Sequence, residues 1–243
     1  MEHIDNQMRS WDNAWASEGV NSWYPDEQVV RFMAANFVRR VGVAGAELSY
    51  KNLGSELRGL DLGCGNGRHM ITMSEMGINA YGVDLSKIAV DTANDWLAFR
   101  NFPQNAMTSS LTKLPFSDNY FDLGICHGVL DHMLAETRLA SLVEIRRVMK
   151  PGAKLFLSLI SVNDSACGSG NQLDHMTWEV EEGFEKGIPQ AFFDMEELGK
   201  CLEDFVILSI VEVSNNTIFG RSLIGTDKHY TCDSRYYVSV ECR

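Results

Sequence analysis

From about residue 57 the chain alternates between short apolar runs and stretches whose apolar residues recur every three or four positions. Short apolar runs bounded by turn residues predict buried strands, and the 3.6-residue period predicts amphipathic helices. Residues 57–62 predict the first strand, 66–76 a helix closed by Gly77, and 80–83 the second strand. Ser86 is placed to cap a helix whose stripe is Ile88, Ala89, Thr92, Ala93, Trp96 and Leu97. A short strand is expected before Thr108 and a fourth strand over 121–126. Residues 134–150 predict a helix that turns Leu139, Leu142, Val143, Ile145 and Met149 to a core and stops at Pro151-Gly152. Residues 155–160 predict a fifth, central strand.

The flanking regions read differently. Residues 9–24 form an aromatic, polar segment, and a helix is expected from Pro25 with Val29, Phe32, Met33, Phe37 and Val41 on one face. Residues 161–192 are polar and too long for a plain connection, which points to a functional insertion. Asp194 and Glu197 form a capping box for a short helix. Residues 205–213 and 236–242 predict two closing strands, joined through 214–235 as a hairpin. Repeated strand–helix units predict an α/β fold whose parallel sheet carries helices on both faces, with an antiparallel edge from the closing strands. Ligands of such sheets sit beyond the carboxyl ends of the strands. One domain over 1–243 is expected, divided into an N-terminal helical lid (1–56), a core (57–160) and a segment of insertion and closing strands (161–243).

Charge narrows the partners. A net charge of -12 and the lack of any Lys/Arg cluster argue against nucleic acid and anionic membranes. None of the six cysteines forms a CxxC pair or a zinc spacing, and no HExxH or carboxylate cluster suggests a metal. The first residues lack the pattern of a signal peptide, and no apolar run approaches the length of a membrane span. A cytoplasmic protein acting on a small molecule, as a monomer or homodimer, is the expectation.

The decisive string is Leu60-Asp61-Leu62-Gly63-Cys64-Gly65-Asn66-Gly67-Arg68, between the first strand and its helix. Glycines at alternate positions permit close approach of the backbone to a ligand. Asp84, at the end of the second strand, is placed to accept both hydroxyls of a ribose. A dinucleotide fingerprint would need glycine where Arg68 stands, and Asp61 would repel a pyrophosphate. Asp61 would instead attract an ammonium or sulfonium, so the charges favour S-adenosylmethionine over a nicotinamide dinucleotide.

These residues carry a family resemblance. LDLGCGNGRH resembles the first motif of class I, seven-stranded S-adenosylmethionine-dependent methyltransferases. YGVDLS (81–86), LPFSDNYFDLGICHGVLDHM (114–133) and RRVMKPGAKLFLSL (146–159) are similar to later segments of that family, in order, with Ala153 in place of the second glycine of a PGG turn. The resemblance implies a Rossmann-like sheet of order 3-2-1-4-5-7-6 with one antiparallel strand. It implies that Asp61, Gly63, Cys64 and Gly65 surround the methionine part, Asp84 the ribose, and Leu85, Ser110 and Leu111 the adenine, with Cys126 and His127 beside the donor. The product would be S-adenosylhomocysteine.

The spacing of Trp11 and Trp15 loosely resembles the entry segment of thiopurine and tellurium-resistance methyltransferases, which implies a lid over the donor. Packing of the first helix is the competing role. Arg31 is a candidate partner for the donor carboxylate or a surface residue. For a hydroxyl acceptor a general base is needed, and His127, Asp131 and His132 are the candidates, with His175 and His229 further along. Asp164, Asn171, Asp174, His175, Trp178, Glu179 and Glu182 are candidate acceptor contacts, in keeping with a carbohydrate or another polar metabolite. A donor-binding protein without activity and a nicotinamide oxidoreductase are the alternatives to a methyltransferase.

Overall fold

A computed structural model describes residues 2–16, 23–43, 47–50, 56–183, 185–219 and 229–243. Two helices, α1 (Glu2–Ala16) and α2 (Glu27–Asn36), precede a short hairpin of β1 (Val38–Val41) and β2 (Glu47–Tyr50). The alternating core runs β3 (Arg58–Leu62), α3 (Arg68–Glu75), β4 (Asn79–Asp84), α4 (Lys87–Phe99), β5 (Ala106–Thr108), β6 (Phe121–His127), a 3-10 turn (Leu130–His132), α5 (Ala135–Val148) and β7 (Met149–Ile160). A small sheet of β8 (Asn171–Asp174), β9 (Thr177–Glu179) and β10 (Pro189–Ala191) follows, then α6 (Met195–Cys201), β11 (Phe205–Phe219) and β12 (His229–Cys242).

The main sheet runs β5-β4-β3-β6-β7-β12-β11. Counted along the chain, its seven strands stand in the order 3-2-1-4-5-7-6, and β12 is antiparallel to both neighbours. The two-residue period of each strand splits its side chains between two cores. Leu60, Leu62, Leu155 and Leu157 join the α5–α6 side. Leu123, Ile125 and Phe156 join Met70, Met73 and Leu97 on the α2–α3–α4 side. The Ser86 hydroxyl accepts from the Ala89 N–H as expected, and Asp194 accepts from the Glu196 and Glu197 N–H groups, while the Glu197 carboxylate pairs with Lys200 rather than completing a capping box.

The structure corrects several expectations. Val41 belongs to β1, because the first helix stops at Asn36. Residues 9–16 of the aromatic segment before it belong to helix α1, and 17–22 lie outside the described residues. Residues 161–192, expected as an insertion without assigned elements, build β8–β10 on their own backbone pairing. The α5 stripe is rotated from the expected one. Leu142, Ile145 and Met149 are buried, but Leu139 and Val143 are exposed. Arg138 and Ser141 take the inner face instead. The Arg138 guanidinium lies over the Phe193 ring and donates from Nη1 to the Leu130 and Met133 carbonyls, which offsets part of the penalty of burying it, although its buried Nε has no partner among the described residues.

That rotation has a measurable consequence. Ile145→Ala is expected to cost about 2–5 kcal/mol in urea unfolding, whereas Val143→Ala stays within about 0.5 kcal/mol. Equal losses would restore the expected stripe.

Candidate active site

A cavity of about 380 Å³ opens at the carboxyl ends of β3, β4 and β6, within the size range of small-molecule sites. Its floor is the glycine turn after β3. The Gly63 and Cys64 N–H groups both donate to the Val83 carbonyl, at 2.8 and 2.9 Å, which stitches the turn to β4. Gly63 has φ +70°, and a Cβ there would lie 2.4 Å from a Val129 methyl carbon. Gly65 has φ +53°, and a Cβ there would lie 2.6 Å from the Trp15 ring. Any other residue at either position would be both strained and blocked.

Asp84 fastens this turn. Its Oδ2 accepts from the Gly65 N–H at 2.9 Å and its Oδ1 from the Ser86 N–H at 2.8 Å. Burial pushes its carboxyl up to about 6, against the pull of those two backbone donors, and Asp61 adds to the rise. Asp84 is on the cavity wall. Asp61 lies behind it: its Oδ1 is 3.8 Å from His69 Nδ1, and its buried Oδ2 has no hydrogen-bond partner.

A relay of histidines continues from there. The Asp26 N–H donates to His69 Nε2 at 3.3 Å, so the His69 proton sits on Nδ1, toward Asp61. Burial lowers the His69 pKa, although Asp61 opposes the change. The Asp26 carboxylate stands 3.2 Å from His127 Nε2 while capping α2 through the Gln28 N–H. Burial alone would raise the Asp26 carboxyl, but His127 and the helix N–H donors hold it down to about 2.

Helix α1 roofs the cavity. Asp12 Oδ1 accepts from the Ser86 hydroxyl at 2.6 Å, which ties α1 to the cap of α4. Trp11 and Trp15 line the wall, and Trp11 meets the His132 ring edge-on at 5.3 Å. Trp23 packs instead on Trp96, and Tyr24 is exposed.

The structure sorts the other expected residues. Cys64, Leu85, Ser110, Leu111, His127 and His132 line the cavity with the glycines. The Ser110 hydroxyl is shared with Thr112. Cys126 does not reach it: alternation on β6 points its side chain into the α5-side core, 1% exposed. Arg31 is turned to solvent and paired with Glu27 one helical turn back, so it is a surface residue. Asp131 is fully buried but is not on the wall, because its carboxylate is bound by Arg235 Nη1 at 2.8 Å. It is not a helix cap either, since Leu134 holds that position. The 161–192 segment contributes Glu185, not the residues singled out in the sequence. Asp164 and Asp174 cap backbone N–H groups, His175 is 78% exposed at its side chain, and Trp178 packs on Phe192. His229 lies at the start of β12, and the tip of that hairpin lies outside the described residues. Sequence reasoning missed Gln7, Thr137, Glu185 and Arg235, which stand singly with no motif around them. Among the described residues no His/Cys/Asp/Glu group could hold a metal, and no helix is long and apolar enough to cross a membrane.

A model of the methyltransferase domain family matches residues 60–157. The matched stretch is under half of this chain and is similar to methyltransferase domains. The ubiquinone biosynthesis O-methyltransferase of Coxiella burnetii is 29% identical over 107 residues, 44% of this chain and 45% of that enzyme. The matched stretch is thus under half the length of that relative. A methyltransferase from Methanosarcina mazei superposes with a TM-score of 0.60 at 19% identity, over 78% of this chain and 94% of its own. The 1,6-didemethyltoxoflavin-N1-methyltransferase of Burkholderia thailandensis, solved with 1,6-didemethyltoxoflavin and S-adenosylhomocysteine, gives a TM-score of 0.56 at 14% identity. That match covers 99% of this chain and 86% of its own. At these identities the structural likeness is one of fold.

The raised Asp84 pKa makes a prediction for the methyltransferase fold without ligand. Between the ordinary carboxylate range and about pH 6 the folded chain holds a proton the unfolded chain has released, so stability from this group falls as pH rises through that window. Asp84→Asn removes this component, which chemical denaturation at a series of pH values would read; an unchanged profile would refute it.

Proposed function

We propose that this protein transfers a methyl group from S-adenosylmethionine to a small-molecule acceptor. The observation that carries the reading is the glycine floor closed by Trp15, with Asp84 on the wall and an unpartnered Asp61 oxygen beneath. A buried carboxylate oxygen without a partner suits a cationic ligand, and the bare glycine turn lets Val129 and Trp15 close directly onto the backbone that floors the cavity. Gly63, Gly65, Asp61 and Asp84 would hold the donor's amino acid and ribose, with Leu85, Ser110 and Leu111 near its base. When bound, the donor supplies a methyl carbon activated by the positive sulfur. Trp11 and Trp15 would exclude water as a lid, and an aromatic face near that charge adds about 0.5–2 kcal/mol.

The geometry ranks the three candidate bases. Asp131 is held by Arg235, and His127 Nε2 is buried beside the Asp26 carboxylate at 3.2 Å, without a well-aligned hydrogen bond among the described residues. His132 faces the cavity, and its Nδ1 lies 3.3 Å from the Pro189 carbonyl. Donation from Nδ1 to that carbonyl leaves the Nε2 lone pair free, with Glu185 Oε1 3.8 Å away to stabilise the imidazolium. A hydroxyl acceptor would release its proton to Nε2 as its oxygen forms the new bond to the methyl carbon; the carbon–sulfur bond breaks and its electron pair stays on sulfur.

Two tests follow. Asp84→Ala is expected to lose most of the affinity for S-adenosylhomocysteine and Trp15→Ala a smaller part, measured by calorimetry; wild-type affinity in Asp84→Ala would overturn the donor assignment. His132→Gln should keep that affinity while lowering kcat by about 10²–10⁴-fold, and an unchanged kcat would remove it from the reaction.

A further inference from the structure

The cavity is longer than its donor half needs. Asp84 ends β4 and Arg235 sits on β12, four strand positions away across β3, β6 and β7. At about 4.8 Å per strand these two wall residues stand on the order of 19 Å apart along the sheet edge. The transferable methyl of an adenosyl donor lies only a few bonds from the ribose. Arg235 therefore belongs to the acceptor half, with His132, Met133, Thr137 and Glu185.

Arg235 reaches this place because β12 runs against its neighbours. Its register pairs Arg235 with Ile160, the last residue of β7, so the side chain emerges at the carboxyl edge where the cavity opens. The guanidinium is largely buried, a quarter exposed at its side chain, and among the described residues makes one hydrogen bond, from Nη1 to Asp131 Oδ2. A guanidinium has five N–H donors in a planar fork. Asp131 fixes the position of the fork and offsets its charge, and the remaining donors have no hydrogen-bond partner among the described residues. Water in an open cavity satisfies them, but a ligand that excludes water must replace it or leave them unmet, at a cost. The Trp11 ring, edge-on to His132, and Met133 add apolar surface to the same cavity.

We propose that Arg235 is the specificity residue of the acceptor half: it binds a planar oxygen acceptor, a carbonyl or carboxylate, on a flat molecule whose hydroxyl faces His132. This deepens the methyltransferase reading and rests on it. The substrate class is a hydroxylated, conjugated compound that bears an sp2 oxygen. A thiol or amine lacking such an oxygen would leave the guanidinium unmatched.

The probes are the 3- and 4-hydroxybenzoates, their methyl esters, and the matching ethylphenols, titrated into protein saturated with S-adenosylhomocysteine. At least one acid or ester is expected to bind about tenfold or more tightly than its ethylphenol, the size of a hydrogen bond to a charged group. Preference for the acid assigns a carboxylate, and equal binding of acid and ester assigns a carbonyl. Arg235→Gln alone strands the Asp131 charge, so the paired variant Asp131→Asn/Arg235→Gln is measured beside it, with thermal unfolding to establish that it folds. The paired variant should lose the preference and keep its S-adenosylhomocysteine affinity. Failure of every acid and ester to bind, equal binding of the ethylphenols, or a preference that survives in the paired variant would overturn the proposal. Failure of S-adenosylhomocysteine to bind the wild type would instead overturn the methyltransferase reading.

Discussion

One carboxylate holds the site in shape. Asp84 accepts the Gly65 N–H on one oxygen and the Ser86 N–H on the other, and so couples the turn after β3 to the end of β4 and the start of α4. Gly63 and Cys64 bond to the same strand through the Val83 carbonyl. With the turn fixed, Trp15 can close on Gly65 and Val129 on Gly63 with no space for a side chain between them. The Ser86 hydroxyl then anchors Asp12 and with it the roof. Losing the Asp84 carboxylate would loosen floor, cap and roof together, which is why its burial is tolerated although it disfavours the ionised form.

The residues proposed to hold the donor stand in a pattern that the sequence displays, and those proposed for the acceptor do not. Gly63, Gly65 and Asp84 stand at spacings imposed by a strand–turn–helix unit, and such local geometry leaves a pattern. Strand order followed from the succession of elements and the family resemblance. Arg235, Glu185 and Thr137 reach the cavity through long-range folding, from β12, from the connection before β10 and from α5. Nothing in their neighbours marks them. The misreadings have the same origin. Leu139 and Val143 fit a helical stripe, but Arg138 found a ring and two carbonyls on the inner face and turned the helix. Cys126 sits one residue before a wall residue, and on a strand one residue reverses the direction of the side chain.

The two halves also differ in how they handle charge. On the side proposed for the donor, Asp61 is buried with one oxygen that has no hydrogen-bond partner among the described residues, and burial lowers the pKa of His69 beside it. On the other side, Asp131 already neutralises Arg235, and what remains is directional donor capacity rather than net charge. His127 and Asp26 stand between them, a pair that ties α2 to the end of β6.

The Asp131–Arg235 contact joins residues 104 positions apart in the chain. Translation at roughly 5–20 residues per second delivers the arginine on the order of 5–20 s after the aspartate. Through that interval the nascent chain holds a carboxylate destined for a dry interior, with no cation to receive it. It remains hydrated until the closing hairpin docks, so the region beside β6 consolidates last, and a ribosome stalled before the final strand would display an open, charged seam on one flank of the sheet.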